Sequence, residues 1–238
     1  MKCPSCQSES FVENGRIHNG KQRFKCKICR RRFVENPTKK VISPELIIIL
    51  DKLLLEKISL AGIGRSLGIS ETWLQKYVNK KYRNVSEQLT VTEKPKDKMT
   101  MECDEIWSFV GKKENGKQIW LAKDRNTKEI VGAFIGGHGK EDARKLWDSL
   151  PPVYRRCAVS YTDSWSAYVG VFPKKRHRSV PKGSGKTNII EGHNNAMRQR
   201  ISRLVRKTAS FSKKNENHRG AIFNFLHYYN QKIAFNNI

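Results

Sequence analysis

Two Cys-x-x-Cys pairs open the chain, Cys3 with Cys6 and Cys26 with Cys29, and 19 residues separate them. Few local patterns restrict a fold more. Two thiolates three residues apart in a tight turn grip one side of a tetrahedral Zn2+. A second such turn after a hairpin-length excursion closes the other side. The excursion reads as strand: Phe11-Val12, then Gly15, a His18-Asn19-Gly20 turn, and Gln22-Arg23-Phe24. Cys3, Cys6, Cys26 and Cys29 are therefore expected to hold a structural Zn2+ in a ribbon over residues 1–36. So short a stretch buries little core, and the metal would supply most of its stability. The alternative is two disulfides, which call for an oxidising compartment, and Met1-Lys2-Cys3-Pro4-Ser5-Cys6 has no apolar run of the kind a secretory signal needs. Cys103 and Cys157 stand alone in apolar surroundings and are expected in the core.

The formal net charge of +25 is unevenly spread. Residues 1–40 carry 11 basic and 3 acidic side chains and residues 171–219 carry 14 and 2, whereas 99–170 is nearly balanced at 11 and 10. Scattered lysines would do no more than keep a protein in solution. Two basic blocks call for a polyanion, and nucleic acid is the expected partner. Arg30, Arg31 and Arg32 follow the last ribbon cysteine directly and are candidate phosphate contacts. The longest aliphatic run, Leu46 to Leu50, falls far short of the roughly 20 residues that span a bilayer, so no membrane segment is expected.

After a linker at Asn36-Pro37-Thr38-Lys39-Lys40, Ser43-Pro44-Glu45 starts a helix expected over 44–57, with Leu46, Ile49, Leu50, Leu53 and Leu54 at helical spacing. A short helix, a turn at Gly68 and a second helix capped by Ser70 follow. Ile63, Leu67, Ile69, Leu74 and Val78 form their shared core. This is helix-turn-helix patterning over 41–83, and Glu71, Thr72, Gln75 and Lys76 are the candidates to face a major groove. A plain helical hairpin is the alternative. Residues 84–98 read as a second linker.

From residue 99 the period changes to two. Strands are expected at Met99–Val110, Gln118–Lys123 and Glu129–Ile135, with a Gly-Lys-Lys-Glu-Asn-Gly turn between the first two. An amphipathic helix at Lys140–Leu150, a strand at Cys157–Tyr161, a short helix at 164–170, a strand near Arg176–Val180 and a long helix over 188–206 complete a mixed sheet with helices packed on it. Asp104 lies inside the first strand and Asp163 just past the fourth. A carboxylate in such a place must pair, shift its pKa or bind a cation. Glu102 shares a strand face with Asp104, and Glu105 points to the other. Glu191 borders the apolar stripe of the long helix and could point back at the sheet. Each has a plainer role open to it: Asp104 as the partner of a lysine, Asp163 as a helix cap, Glu191 as the acid of a near capping box with Asn188.

These features together resemble the insertion-sequence-one family of bacterial DNA transposases. The resemblance is carried by the ribbon cysteines, the helix-turn-helix, Asp104 in Cys-Asp-Glu-Ile-Trp-Ser-Phe-Val-Gly and Asp163 in Tyr-Thr-Asp-Ser-Trp. It is carried further by Ile190-Glu191-Gly192-His193-Asn194, Arg198-Gln199-Arg200 and Arg206-Lys207-Thr208-Ala209-Ser210-Phe211-Ser212-Lys213. It implies a multidomain α+β chain: zinc ribbon, helix-turn-helix, and a ribonuclease-H-like catalytic domain over 99–238 ending in basic helices. It implies an Asp-Asp-Glu triad, Asp104, Asp163 and Glu191. Three such carboxylates can hold two Mg2+ or Mn2+ ions roughly 3.5–4 Å apart for phosphodiester hydrolysis and strand transfer. Arg198, Arg200, Arg203, Arg206 and Lys207 are expected on DNA phosphates, and His193 is expected either to orient the scissile phosphate or to sit on the helix surface. The resemblance implies a prokaryotic, cytoplasmic, nucleoid-associated protein that acts on double-stranded DNA as a dimer or larger assembly. The alternatives are a transcriptional regulator without catalysis and a metal-dependent nuclease.

Overall fold

The computed structural model describes residues 1–35, 42–94, 99–204 and 210–236. The chain divides into two units, Met1–Ile47 and Ile48–Ile238.

In the first unit, β1 (Phe11–Arg16), β2 (Gln22–Cys26) and β3 (Arg32–Val34) form an antiparallel sheet in that order. Three rings pack together on it: Phe11 lies 5.4 Å from Phe24 and 5.7 Å from Phe33, centroid to centroid. The β1–β2 register slips between Glu13 and Arg16, where Gly15 adopts φ +71°, a conformation that costs glycine little. The expected linker at 36–40 lies outside the described residues.

Helix α1 (Pro44–Leu53) begins in the first unit and ends in the second. The Ser43 hydroxyl accepts from the Leu46 N–H as an N-cap should. The helix stops at Leu53, short of the expected 57, and the turn that follows buries Leu55. Next come α2 (Leu60–Leu67) and α3 (Glu71–Arg83), capped by the Ser59 and Ser70 hydroxyls. Gly68, at φ +62°, ends α2. Ile63, Ile69, Leu74 and Val78 are buried between these helices.

The larger sheet has the order β6-β5-β4-β7-β8. β4 (Thr100–Val110), β5 (Lys112–Asp124) and β6 (Ile130–Gly136) are antiparallel neighbours, and β7 (Val159–Thr162) and β8 (His177–Ser179) continue the sheet in parallel with β4. The expected turn over 111–116 is mostly strand: Gly111, at φ +75°, reverses the chain in one residue. Side chains alternate between two cores. Met101, Cys103, Trp120 and Ala122 pack against α4 (Lys140–Ser149), α5 (Pro152–Cys157) and Tyr168. Ile106, Ile119 and Leu121 pack against α6 (Asn188–Arg200) and α7 (Asn215–Asn236). The helix expected over 164–170 is only a 3-10 turn, Ser166–Tyr168. The one expected over 188–206 ends at Arg200, and a second 3-10 turn, Ser202–Leu204, follows.

Helix α7 also carries α3. Gly220 lets the two approach: a Cβ there would meet the Tyr82 backbone oxygen at 2.5 Å. Asn217 donates to Asn79 (2.9 Å). The stretch expected as a linker after Arg83 runs along this domain as far as it is described. Arg219 pairs with Glu87, Asn230 donates to the Thr90 carbonyl, and the Thr92 N–H and hydroxyl both donate to buried Glu129. Among the described residues, no helix is long and apolar enough to cross a membrane.

Candidate active site and metal centre

The parallel register makes the site. β4 and β7 pair at Thr100 with Val159, Met101 with Ser160 and Glu102 with Tyr161. Two residues further, the same register sets Asp104 beside Asp163, where β7 has ended and the edge of β4 is open. Carboxylate oxygens of Asp104, Asp163 and Glu105 lie within 4.8 Å of one another. Glu105 belongs to the opposite strand face by alternation, but at an uncovered edge its side chain reaches round. Its presence in the cluster was not anticipated: the end of β7 near residue 162 agrees with the sequence reading, but alternation had placed Glu105 on the far face.

Helix α6 forms the other wall. Asn194 donates to Asp104 Oδ2 (2.7 Å), so among the described residues Asp104 pairs with an amide and not with a lysine. Glu191, one turn earlier, is exposed, and its Oε1 accepts the Thr187 hydroxyl (2.6 Å). It lies within electrostatic reach of Asp104. Burial holds the Asp104 carboxyl up at about 6, and the like charges of Asp163 and Glu191 add to the rise. Burial and the Asp104 charge hold Glu105 at about 7, although Tyr168 donates to it (2.9 Å) and Lys182 lies within reach. Asp163 Oδ1 accepts from the Trp165 N–H (3.0 Å), so it also organises the turn behind it. Crowded carboxylates with raised pKa values are short of positive charge. Their hard oxygen donors suit Mg2+ or Mn2+.

Glu102 anchors this wall. It is fully buried, and its Oε2 accepts from the N–H groups of Ile189 and Ile190 at 2.9 and 3.0 Å. Arg125 pairs with its other oxygen at 2.9 Å. A strand carboxylate thus caps α6, which fixes the start of the helix that carries Glu191 and Asn194.

In the first unit, the sulfurs of Cys3, Cys6, Cys26 and Cys29 also lie within 4.8 Å of one another, with Cys3 to Cys29 at 3.5 Å and Cys6 to Cys26 at 3.6 Å. A disulfide would bring sulfurs to about 2.05 Å. A tetrahedron of thiolates about 2.3 Å from Zn2+ has edges of about 3.8 Å, close to what is found. Arg30, Arg31 and Arg32 are exposed beside it.

Glu71, Thr72, Gln75 and Lys76 are all exposed on α3, and Gln75 donates to Asn79 (2.7 Å). Three expected phosphate or DNA contacts have partners within the protein. His193 is 4% exposed, with its ring 4.4 Å from that of Tyr229, because it falls on the stripe of Ile190 and Met197. That spacing is legible in the sequence and argues for an inward ring. Arg200 pairs with Glu56 (2.6 Å) and lies over Phe225, and Arg203 donates to Ser212 (3.0 Å) and lies over Tyr82. Arg198 is half-buried, and Arg206 and Lys207 lie outside the described residues.

Comparison with known proteins agrees with this layout. A family model described as IS1 transposase matches residues 98–232, and one described as the InsA N-terminal domain matches residues 1–30. The chain is 34% identical over 125 residues to the insertion element iso-IS1n protein InsB of Shigella dysenteriae, a match covering 52% of this chain and 92% of that protein. It is 33% identical over 125 residues to the insertion element IS1 2 protein InsB of Escherichia coli (strain K12), covering 72% of that protein.

Proposed function

The chain belongs to the IS1 transposase family, and from that premise we propose that it binds the ends of its own insertion sequence and catalyses metal-dependent phosphodiester hydrolysis and strand transfer. The observation that carries this reading is the register of β4 on β7, which brings Asp104 and Asp163 together beside the helix of Glu191. A mixed five-stranded sheet with three antiparallel strands followed by two parallel ones supports a ribonuclease-H-like catalytic domain.

Asp104, Asp163 and Glu191 would hold Mg2+ or Mn2+, with Glu105 beside them. The bound ions would supply Lewis acidity at the scissile phosphate and a water or 3′-hydroxyl of lowered pKa. The residues of the chain do the positioning. Asn194 orients Asp104, the Tyr168 hydroxyl holds Glu105, and Glu102 fixes the start of α6. Glu191 is poised at the rim, restrained by Thr187. In this reading α2 and α3 are a helix-turn-helix. Exposed Glu71, Thr72, Gln75 and Lys76 read the groove, and Arg30, Arg31, Arg32 and Arg198 contact phosphates. Zn2+ on the four ribbon cysteines is structural. Two element ends must be paired for transfer, so the active assembly is at least a dimer on DNA.

The test is a joining assay with pre-cut element ends, target DNA and Mg2+. Joined product is expected. Cleavage without joining would make the protein a nuclease, and specific binding with neither product would make it a regulator.

A further inference from the structure

Past the carboxylates, β4 carries an aromatic stripe that reaches solvent. Trp107 is 50% exposed. Its ring lies 5.7 Å from Phe109, and Phe109 lies 5.3 Å from Phe211. The stripe is held in place. The Gly111 N–H donates to the Ser212 carbonyl (2.8 Å), which pins the segment of Phe211 to the tip of the β4–β5 hairpin. Gly116, opposite Phe109 on β5, leaves room for the indole, since a Cβ there would meet Trp107 Nε1 at 3.2 Å.

Charge identifies the occupant. Lys112 and Lys113 are exposed on the hairpin, and Lys213 and Lys214 are exposed just after Phe211, with Glu114 the carboxylate among them. Aromatic rings interleaved with lysines suit single-stranded nucleic acid, whose phosphates meet the cations while its bases stack on the rings. A paired duplex hides its base faces; an unpaired nucleotide offers one. Trp107 lies three residues beyond Asp104, about 10 Å at roughly 3.3 Å per residue. That is the rise of about three stacked nucleotides. It also shares a strand face with Glu105.

We infer that Trp107, backed by Phe109 and Phe211, is a stacking platform for an unpaired base a few nucleotides from the scissile phosphate. The substrate is then a DNA end whose terminal pairs are opened. This rests on the DNA-processing reading above.

The full-length protein can be titrated into two duplexes, one blunt and one with about three unpaired terminal nucleotides, each carrying 2-aminopurine near its end. Wild type is expected to bind the unpaired end more tightly and to quench its fluorescence. Trp107→Ala should lose the quench and about tenfold in affinity for that end, with the blunt end unaffected. Trp107→Phe, which keeps a stacking face, should retain most of both. Equal losses on the two duplexes, no loss on either, or a Phe variant as defective as the Ala variant would overturn the platform. A wild type that binds both duplexes alongside an indistinguishable Trp107→Ala removes the platform alone. A wild type that binds neither removes the DNA-processing reading with it.

Discussion

Buried histidines and edge carboxylates pull the stability of this chain in opposite directions as pH changes. Burial holds His218 at about 4 and His193 at about 3, so both are neutral in the folded state. The unfolded chain takes up those protons near 6.5. Their contribution is therefore present above about 6.5 and is lost as pH falls towards 4 and 3. Removing His218, whose two ring nitrogens have no hydrogen-bond partner among the described residues, should make the loss of stability between pH 7 and 5.5 smaller by about 1 kcal/mol. Urea melts of wild type and His218→Leu at the two pH values check this; equal losses would refute it. Asp104 and Glu105 act the other way, since protons bound to the folded state are lost as pH rises through about 6 and 7. Asp104→Asn keeps the shape and removes the buried charge. Metal-free at pH 8, it should be more stable than wild type by about 1–3 kcal/mol, as read by urea melts. In the proposed reading, that gain reflects a charge kept for a cation. Asp104 was legible as a carboxylate inside an apolar strand and Asp163 as one just past another. Glu105 was not, because strict alternation assigns its side chain to the face opposite Asp104, yet its carboxylate lies with those of Asp104 and Asp163.

At the scale of elements, a few side chains decide where helices begin and meet. Glu102→Ala would strip the cap from α6 and leave Arg125 without its carboxylate. The expected cost is about 3–5 kcal/mol, with faster amide hydrogen exchange at Ile189 and Ile190; unchanged exchange there would contradict the capping role. Gly220→Ala would force a Cβ against the Tyr82 backbone and should cost about 1–3 kcal/mol. Trypsin should then cut α3 sooner at Lys80, Lys81 and Arg83, and an unchanged cleavage pattern would count against the close packing. Most elements could be read ahead, since the period-two runs of β4 and β6 and the Ser59, Ser70 and Gly68 caps are local signals. The tight reversal at Gly111 and the short α6 could not, because both depend on distant partners: the Ser212 carbonyl bound by the Gly111 N–H, and the core that takes in Ile201 and Leu204. Helix α7 entered only as one of the basic C-terminal helices that the resemblance implies, without bounds, for a related reason. It meets the sheet on one side and α3 on another, so its apolar residues form no single stripe.

At the scale of the molecule, the two units should answer differently to metal removal. A chelator strong enough to take Zn2+ from four thiolates should unfold β1–β3 and leave the melting of Ile48–Ile238 unchanged; a ribbon that keeps its structure would show that the cysteines hold no essential metal. The larger unit joins α3, with its exposed Glu71, Thr72, Gln75 and Lys76, to the sheet that carries the carboxylates through α7 and the stretch 84–94. In the proposed reading this fixes the register between the DNA that is read and the phosphate that is cut. The ribbon cysteines and the order of motifs made legible the family that the comparisons show. They also placed His193, Arg200 and Arg203 on DNA, whereas the fold buries His193, lays Arg203 over Tyr82 and pairs Arg200 with Glu56 at the surface. The most direct measurement is the rate of Mg2+-dependent cleavage at an element end by wild type and by Asp104→Asn, Asp163→Asn and Glu191→Gln, with DNA affinity followed in parallel. The account predicts that each variant binds DNA as wild type does and cleaves at background; an Asp104→Asn protein that still cuts in Mg2+ would contradict it.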